Sequence, residues 1–280
     1  MKNKFSIDID NSINSGQVFL WEKNGTNWYG INGQDVLKIN KNGTIKSILN
    51  SKTDFFRKND NIQEIMQLIS KDKTVKKAVK EYEGLRIFEQ DPFQCLISFI
   101  ISSNSNIQKI KNSLEKITKK FGKKVKIQNK EFFLFPKPEK IANASINEIK
   151  ACGVGYRAPF IKEAAKMVIL KQINFEYLKK CDYYEAKKNI CLVPGVGNKV
   201  ADCVMLFSLN KLDAFPLDTW MIKILEKYYS KEFKIKTKTI TQKQYELLHE
   251  KIVNYFGPYC GYSQQYLFKM EREKKDKKWL

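Results

Sequence analysis

Scarcity says a good deal about this 280-residue chain, which holds one histidine, four arginines and no long apolar run. No uninterrupted hydrophobic stretch approaches the roughly 18 residues that a membrane helix needs. The N-terminal MKNKFSIDIDNS has charge but no apolar h-region, so no secretion signal is expected and a cytoplasmic location is. Six cysteines, Cys95, Cys152, Cys181, Cys191, Cys203 and Cys260, include no C-x-x-C pair. With His249 as the single histidine, a zinc site is not expected. A tight four-cysteine cluster of the kind that holds an iron–sulfur centre is missing as well. The thiols are therefore expected to be reduced and mostly buried.

What is abundant is positive charge. Lys and Arg number 51 against 30 Asp and Glu, a net charge of +21. Such an excess favours a polyanionic partner, because neutralising phosphates releases counterions. All but four of the 51 basic residues are lysines, the arginines being Arg57, Arg86, Arg157 and Arg272. A lysine- and isoleucine-rich composition also arises from codon bias in an AT-rich genome, which suggests a low-GC bacterium or archaeon.

At 42% hydrophobic residues the chain can bury one large core or two smaller ones. Its pattern predicts an α+β protein. Asn-Gly pairs at Asn24-Gly25, Asn32-Gly33 and Asn42-Gly43 separate the short runs VFLWEK, TNWYGI, DVLKI and TIKSIL. Asn-Gly tolerates the positive φ of a type I′ turn, so an antiparallel meander is expected to about residue 50. From Asp54 onward, NIQEIMQLISKD, DPFQCLISFIIS, IQKIKNSLEKITKKFG and YRAPFIKEAAKMVILK repeat apolar residues at helical spacing. Asp91 before Pro92 reads as an N-cap followed by an N1 proline, and Asp218 as the N-cap of TWMIKILEKYY. SQQYLFKMEREKKDKKWL reads as a helix fraying into a basic tail. These boundaries predict a β-rich N-terminal domain with a connecting helix over 1–80, and a multi-helix domain over 81–280.

LVPGVGNKVADC, between two helical runs, carries the chemistry-bearing motif. Gly195 and Gly197 allow a sharp turn and close backbone approach, while the next helix presents a partially positive N-terminus. That is a helix-hairpin-helix, a sequence-independent grip on one DNA strand; an ordinary αα-corner is the plain alternative. Lys199 at the helix start either grips phosphate or, kept partly neutral, attacks a carbon centre to form a Schiff base. Asp218 opens the following helix, where the two side chains can converge. A carboxylate beside an amine at a sugar C1′ stabilises the charge that develops as a base departs and can shuttle a proton. Simple N-capping by Asp218 is compatible with both roles. Gln264 and Phe268, four residues apart on one helical face, suit edge recognition and stacking of an extruded base, with core packing as the alternative for Phe268.

With these residues in view, the chain resembles, over nearly its full length, the 8-oxoguanine DNA glycosylase/AP lyase family of the helix-hairpin-helix glycosylases. SGQVFLWEKNGTNWYG is similar to that family's TBP-like N-terminal β domain, QDPFQCLISFIISSNSNI and GVGYRAPFI to its helical framework, and LVPGVGNKVADCVMLF…AFPLDTWM to its catalytic core. The resemblance implies a bifunctional enzyme of base excision repair, acting as a monomer on duplex DNA containing damaged guanine. Lys199 would be the Schiff-base nucleophile and Asp218 the essential carboxylate. Gly16 would accept the N7–H of 8-oxoguanine, Cys203 and Phe268 would sandwich the flipped base, and Gln264 would bond its Watson–Crick edge. Asn104 would fill the gap in the duplex, Tyr156 would wedge beside it, and Arg157 would donate to the opposite cytosine. Lys109 replaces a second arginine, and Trp220 a histidine, of the family's eukaryotic members; a lysine lacks the planar fork, so weaker selection for cytosine is expected. No cofactor is implied as required; the carbonyls of Cys191, Val193 and Val196 would hold a structural cation that bridges to a phosphate.

Three rival readings remain. A non-catalytic binding module has no use for Lys199 and Asp218 together. A monofunctional glycosylase for alkylated bases activates water and does not need the lysine. Endonuclease III-type enzymes usually carry a C-terminal iron–sulfur cluster, whereas the tail from GPYCGYSQQ onward contains only Cys260.

Overall fold

The computed structural model describes residues 7–40, 44–47, 49, 54–127, 130–235 and 240–276. After a short helix α1 (Ile9–Ile13), strands β1 (Trp21–Asn24), β2 (Asn27–Asn32), β3 (Asp35–Ile39) and β4 (Ile45–Ser47) form the antiparallel meander. Trp21 pairs with Gly30, and a Cβ at Gly30 would lie 2.1 Å from the Trp21 ring, so this register needs the glycine. The hairpins form as expected, with one difference in detail. Asn24 pairs with Asn27 and Asn32 with Asp35, so each asparagine ends a strand and the glycine is the first of two loop residues. Gly25 and Gly33 take φ of +58°, the left-handed value that such two-residue loops demand. Asn32 is thereby freed for tertiary use, its Oδ1 accepting the Asp91 N–H at 2.7 Å. The expected Asn42-Gly43 turn lies outside the described residues.

Helices α2 (Ile62–Ile69), α3 (Lys73–Glu81), α4 (Pro92–Ser102) and α5 (Ile107–Phe121) follow, each N-capped by Asn or Asp. Asp91 caps α4 through the Gln94 N–H at 2.8 Å, with Pro92 in the first turn, as its sequence predicts. A second small hairpin, β5 (Lys124–Ile127) with β6 (Lys130–Phe133), was not evident in the polar run KKVKIQNKEFF. Then come α6 (Pro138–Asn143) and α7 (Ile146–Ile149), a π turn at Lys150–Val154, a 3-10 turn at Gly155–Arg157, and α8 (Ala158–Ile169). Helices α9 (Phe175–Lys180), α10 (Tyr183–Ile190), α11 (Asn198–Ser208), α12 (Thr219–Tyr228), α13 (Gln242–Phe256) and α14 (Cys260–Asp276) complete the chain.

Helices α4 and α11 are buried along nearly their whole length and pack together at the centre of the helical core. Stacking of Phe99 on Phe207 at 5.4 Å joins them, and Phe19 meets Phe99 edge-on at 5.8 Å, tying the N-terminal segment to the same core. The sheet has its own cluster, in which Trp21, Phe55 and Phe88 stack in sequence at 5.2 and 4.6 Å. All six cysteines are free thiols. Among the described residues no helix is long and apolar enough to cross a membrane.

Candidate active site

Between α10 and α11, Val193-Pro194-Gly195-Val196 makes a β-turn closed by the Val196 N–H on the Val193 carbonyl at 3.0 Å. Proline at the second position and glycine at φ +81° in the third are what a type II turn requires. A Cβ on Gly195 would also lie 2.4 Å from the Phe160 ring, so two independent constraints demand glycine there. Gly197 differs. Its φ of −100° suits any residue, and a Cβ added to it would meet nothing within 4 Å. Gly197 is the N-cap of α11, where glycine is tolerated far better than alanine, and the space open beside it leaves the first amides of α11 clear for an anion. The Cys191, Val193 and Val196 carbonyls are hard oxygen donors of the kind that suit an alkali or alkaline-earth cation, and the Val193 oxygen keeps a second lone pair beside its turn bond.

As the second residue of α11, the half-buried Lys199 sends its Nζ to Ser102 Oγ at 3.1 Å and over the Phe99 ring at 5.4 Å from its centroid. Ser102 gives its own hydroxyl proton to the Phe99 carbonyl at 2.7 Å, so its lone pairs face the amine. Asp218 caps α12 with one oxygen only: Oδ1 accepts the Trp220 and Met221 N–H groups at 3.0 and 2.8 Å. Oδ2 takes part in neither bond, so capping and chemistry divide between the two oxygens. Burial pushes the Asp218 carboxyl above the usual aspartate range, against the Met221 N–H, the Lys199 charge and the Trp220 N–H, which pull it down.

Lys199, Asp218, Cys203, Gly16, Gln264, Phe268 and Trp220 all line one cavity of about 390 Å³. Burial pushes the Cys203 thiol up to about 12 against the pull of Lys199, so it lines the cavity as a neutral, polarisable surface. Gln264 is 4% exposed, and its Oε1 is buried with no partner within the protein. A buried amide oxygen left unpaired costs about 1–3 kcal/mol, which a ligand N–H at the same place removes. Gly16 reaches the cavity at φ +87° because its neighbour is bolted down: the buried Gln17 donates to the Arg86 carbonyl and accepts the Phe88 N–H, both at 2.8 Å. From the other side, Gln265 on α14 donates to the Ser15 carbonyl at 3.0 Å.

A second, more open groove of about 800 Å³ runs past the hairpin and shares Lys199, Asp218 and Trp220 with the cavity. Asn104, Lys109, Gly195 and Gly197 line it. Asn104 has φ +50°, a conformation that asparagine tolerates, and its Nδ2 lies 3.4 Å from the Tyr156 hydroxyl. Tyr156 is 56% exposed, with the Arg157 guanidinium over its ring at 4.4 Å. Arg157 donates to the Ser103 carbonyl at 2.9 Å from Nε and to the Asn104 carbonyl at 3.3 Å, so here it braces the Asn104 loop. Asn104, Tyr156 and Arg157 thus form one cluster beside the groove, apart from the seven expected residues that line the cavity.

Sequence reasoning missed Ser102, Phe99 and Arg272. Arg272 lines the cavity one helical turn past Phe268. Ser102 had a weak local signal, a polar residue ending the apolar run Phe99–Ile101; Phe99 had none that separates it from core.

Comparison with known proteins agrees with this geometry. Residues 1–96 match the family described as 8-oxoguanine DNA glycosylase, N-terminal domain, and residues 97–250 that described as HhH-GPD superfamily base excision DNA repair protein. A probable N-glycosylase/DNA lyase of Methanothermobacter thermautotrophicus is 31% identical over 174 residues, 55% of each chain, so the match spans about half of that relative's length. An N-glycosylase/DNA lyase of Arabidopsis thaliana is 29% identical over 91% of this chain and 74% of its own. The Clostridium acetobutylicum 8-oxoguanine glycosylase/lyase, solved with duplex DNA containing cytosine opposite 8-oxoguanine, superimposes with a TM-score of 0.85. It is 31% identical, and the match covers 96% of this chain and 93% of that one. On a cavity that joins a lysine to a carboxylate behind a hairpin groove, and on these matches, the chain belongs to the 8-oxoguanine DNA glycosylase family of the HhH-GPD superfamily.

Proposed function

We propose that the chain is a bifunctional glycosylase/lyase that removes 8-oxoguanine from duplex DNA. The observation that carries this reading is the shared wall: Lys199 and Asp218 line both the more open groove and the base cavity. A strand gripped at the hairpin delivers one extruded nucleotide past the pair, base inward and sugar beside the amine. Phe268 and the neutral Cys203 flank the base. Gln264 Oε1 accepts a hydrogen bond from an N–H on its Watson–Crick edge, and the Gly16 carbonyl accepts one from the N7–H that guanine lacks. Lys199 Nζ attacks C1′ as the N-glycosidic bond breaks; the base leaves with the bonding pair and takes up a proton that the new ammonium gives up, and the C1′–O4′ bond then opens, O4′ gaining a proton, to leave a C1′ imine on Lys199. Asp218 stabilises the positive charge on the opening ribose from a poorly solvated position, where a charge acts strongly. Loss of a C2′ proton from the resulting imine expels the 3′ phosphate and nicks the strand.

Asn104, Tyr156, Arg157 and Lys109 hold the opposite strand, and Trp220 lies toward the lesion phosphate. A cation on the hairpin carbonyls, when bound, supplies charge to a strand phosphate; no step runs through it. The enzyme works as a monomer in the cytoplasm, at the nucleoid where the cell has one; an archaeal and a plant relative at similar identity do not single out a prokaryotic source. Incubation with a duplex carrying one 8-oxoguanine opposite cytosine tests the reading. Free base plus a strand nicked 3′ to the lesion is the expected result; free base with an intact abasic strand contradicts the lyase step.

A further inference from the structure

A buried polar assembly lies behind the active site and touches both of its elements. Asp202, on α11 three residues past Lys199, is fully buried. Its Oδ1 accepts the Tyr183 hydroxyl at 2.8 Å and lies 3.3 Å from Lys187 Nζ. Its Oδ2 accepts the Tyr245 hydroxyl at 2.6 Å. Tyr245 Oη in turn accepts the backbone N–H of Leu217, the residue before Asp218, at 3.1 Å. Lys187 Nζ also donates to Tyr183 Oη at 2.7 Å and lies over the Tyr245 ring at 4.1 Å. Burial and the Asp202 charge raise both tyrosines, Tyr245 the more deeply buried, so both stay protonated and donate. The single histidine finishes the packing: His249 stacks on Tyr183 at 4.0 Å and faces the Asp213 carbonyl at 2.8 Å.

Stability alone does not account for such a group. A buried ion pair is often matched or bettered by apolar side chains of the same volume, whereas removing one partner is costly. What directed bonds supply that apolar packing does not is a fixed distance and angle. The chain from α11 through Asp202 Oδ2 and Tyr245 to the Leu217 N–H is a two-bond polar link between the Lys199 helix and the segment that delivers Asp218.

We propose that Asp202 and Tyr245 are positioning residues that set the Asp218 carboxylate against the Lys199 amine during base excision. This rests on the reading of Asp218 given above. Neither residue lines the base cavity: Asp202 is fully buried and lines neither cavity nor groove, and Tyr245, 4% exposed, lines only the groove, as Leu217 does.

A double-mutant cycle on single-turnover excision of 8-oxoguanine tests it, using the full chain as wild type, Tyr245→Phe, Asp218→Asn and the double variant. Tyr245→Phe removes one oxygen and keeps the ring. It should slow excision about 10- to 100-fold, the cost of misplacing a reacting group by about an ångström, and should cost nothing further when Asp218→Asn is already present. Borohydride capture on a preformed abasic duplex, which needs the Lys199 amine and not base departure, should be retained in Tyr245→Phe. Asp202→Asn, of the same volume, is carried through the same cycle, so that poor folding of one variant does not remove the test. Equal losses in both backgrounds overturn the positioning role while leaving Asp218 in place. An Asp218→Asn protein that excises like wild type overturns both.

Discussion

The hairpin groove and the base cavity share Lys199, Asp218 and Trp220, yet they are built from different materials. At the hairpin the ligand-facing groups are backbone: open amides beyond Gly197, and carbonyls beside a turn that Pro194 and Gly195 enforce. In the cavity most are side chains, and all but Asp218 are oriented by groups distant in sequence. Ser102 turns Lys199, two amides hold Asp218 Oδ1, and Gln17 with Gln265 presents Gly16. Backbone grips any strand because every strand has phosphates. Side chains supply chemistry and selection, and those need placement. Binding and catalysis should therefore separate under mutation.

The sharpest separation comes from Asp218→Asn. It keeps a capping oxygen for α12 and removes the charge, so excision should fall about 10²- to 10³-fold, the usual cost of losing a preorganised electrostatic group, while duplex affinity holds. The pH profile carries the same signature. Asp218 must be ionised to act, and burial raises its pKa, so excision should fail on acidification at a higher pH than an ordinary aspartate dictates. The stability sign is the reverse. With the folded pKa above the unfolded one, protonated Asp218 favours the fold below the ordinary aspartate range, and that contribution is lost as pH rises through the raised value. Stopped single-turnover assays and melting curves across pH read the two separately.

Gln264→Leu tests the cavity's selectivity. Removing the unpaired Oε1 relieves the free protein and deprives the base edge of its acceptor, so the chain should melt no lower while excision drops about 10- to 100-fold. In the groove the two glycines should part company. Gly195→Ala meets both a φ of +81° and the Phe160 ring, and should destabilise the fold by about 1–3 kcal/mol. Gly197→Ala meets no protein atom and loses only the N-cap preference, so it should cost the fold less than Gly195→Ala, under about 1 kcal/mol, while duplex affinity falls about tenfold through lost amide–phosphate bonds. Smallest of all, Lys109→Arg adds a planar fork at an exposed position in the groove. It should raise the ratio of excision opposite cytosine to that opposite adenine about fivefold, and an unchanged ratio removes Lys109 from opposite-base reading.

Legibility in the sequence followed the range of the interactions involved. Caps and turns are written within four residues, so Asp91, Asp218 and the Pro194-Gly195 turn were readable, as were the meander and the period of α2, α4, α5 and α8. The hairpin asparagines were misplaced by one position because register depends on the strands as well as on the turn. The β5–β6 hairpin hid in a short lysine-rich run whose alternation, KVKI, spans only four residues. In the site, Lys199 and Asp218 could be named from spacing and resemblance. Ser102 sits 97 residues from Lys199, and the Gln17 and Gln265 brackets around Gly16 reach across 69 and 250, so no local pattern announces them. Arg157 illustrates the converse: its type suggested a cytosine contact, and the structure adds a local duty, bracing the loop that carries Asn104.

The central claim is that the Lys199 amine becomes covalently joined to the sugar. Borohydride added to the wild-type chain on an 8-oxoguanine·cytosine duplex, with Lys199→Gln beside it, tests this most directly. A stable protein–DNA adduct formed by the wild type and absent from the variant is the predicted result. An adduct that persists in Lys199→Gln, or free base released by the wild type with no adduct at all, contradicts it.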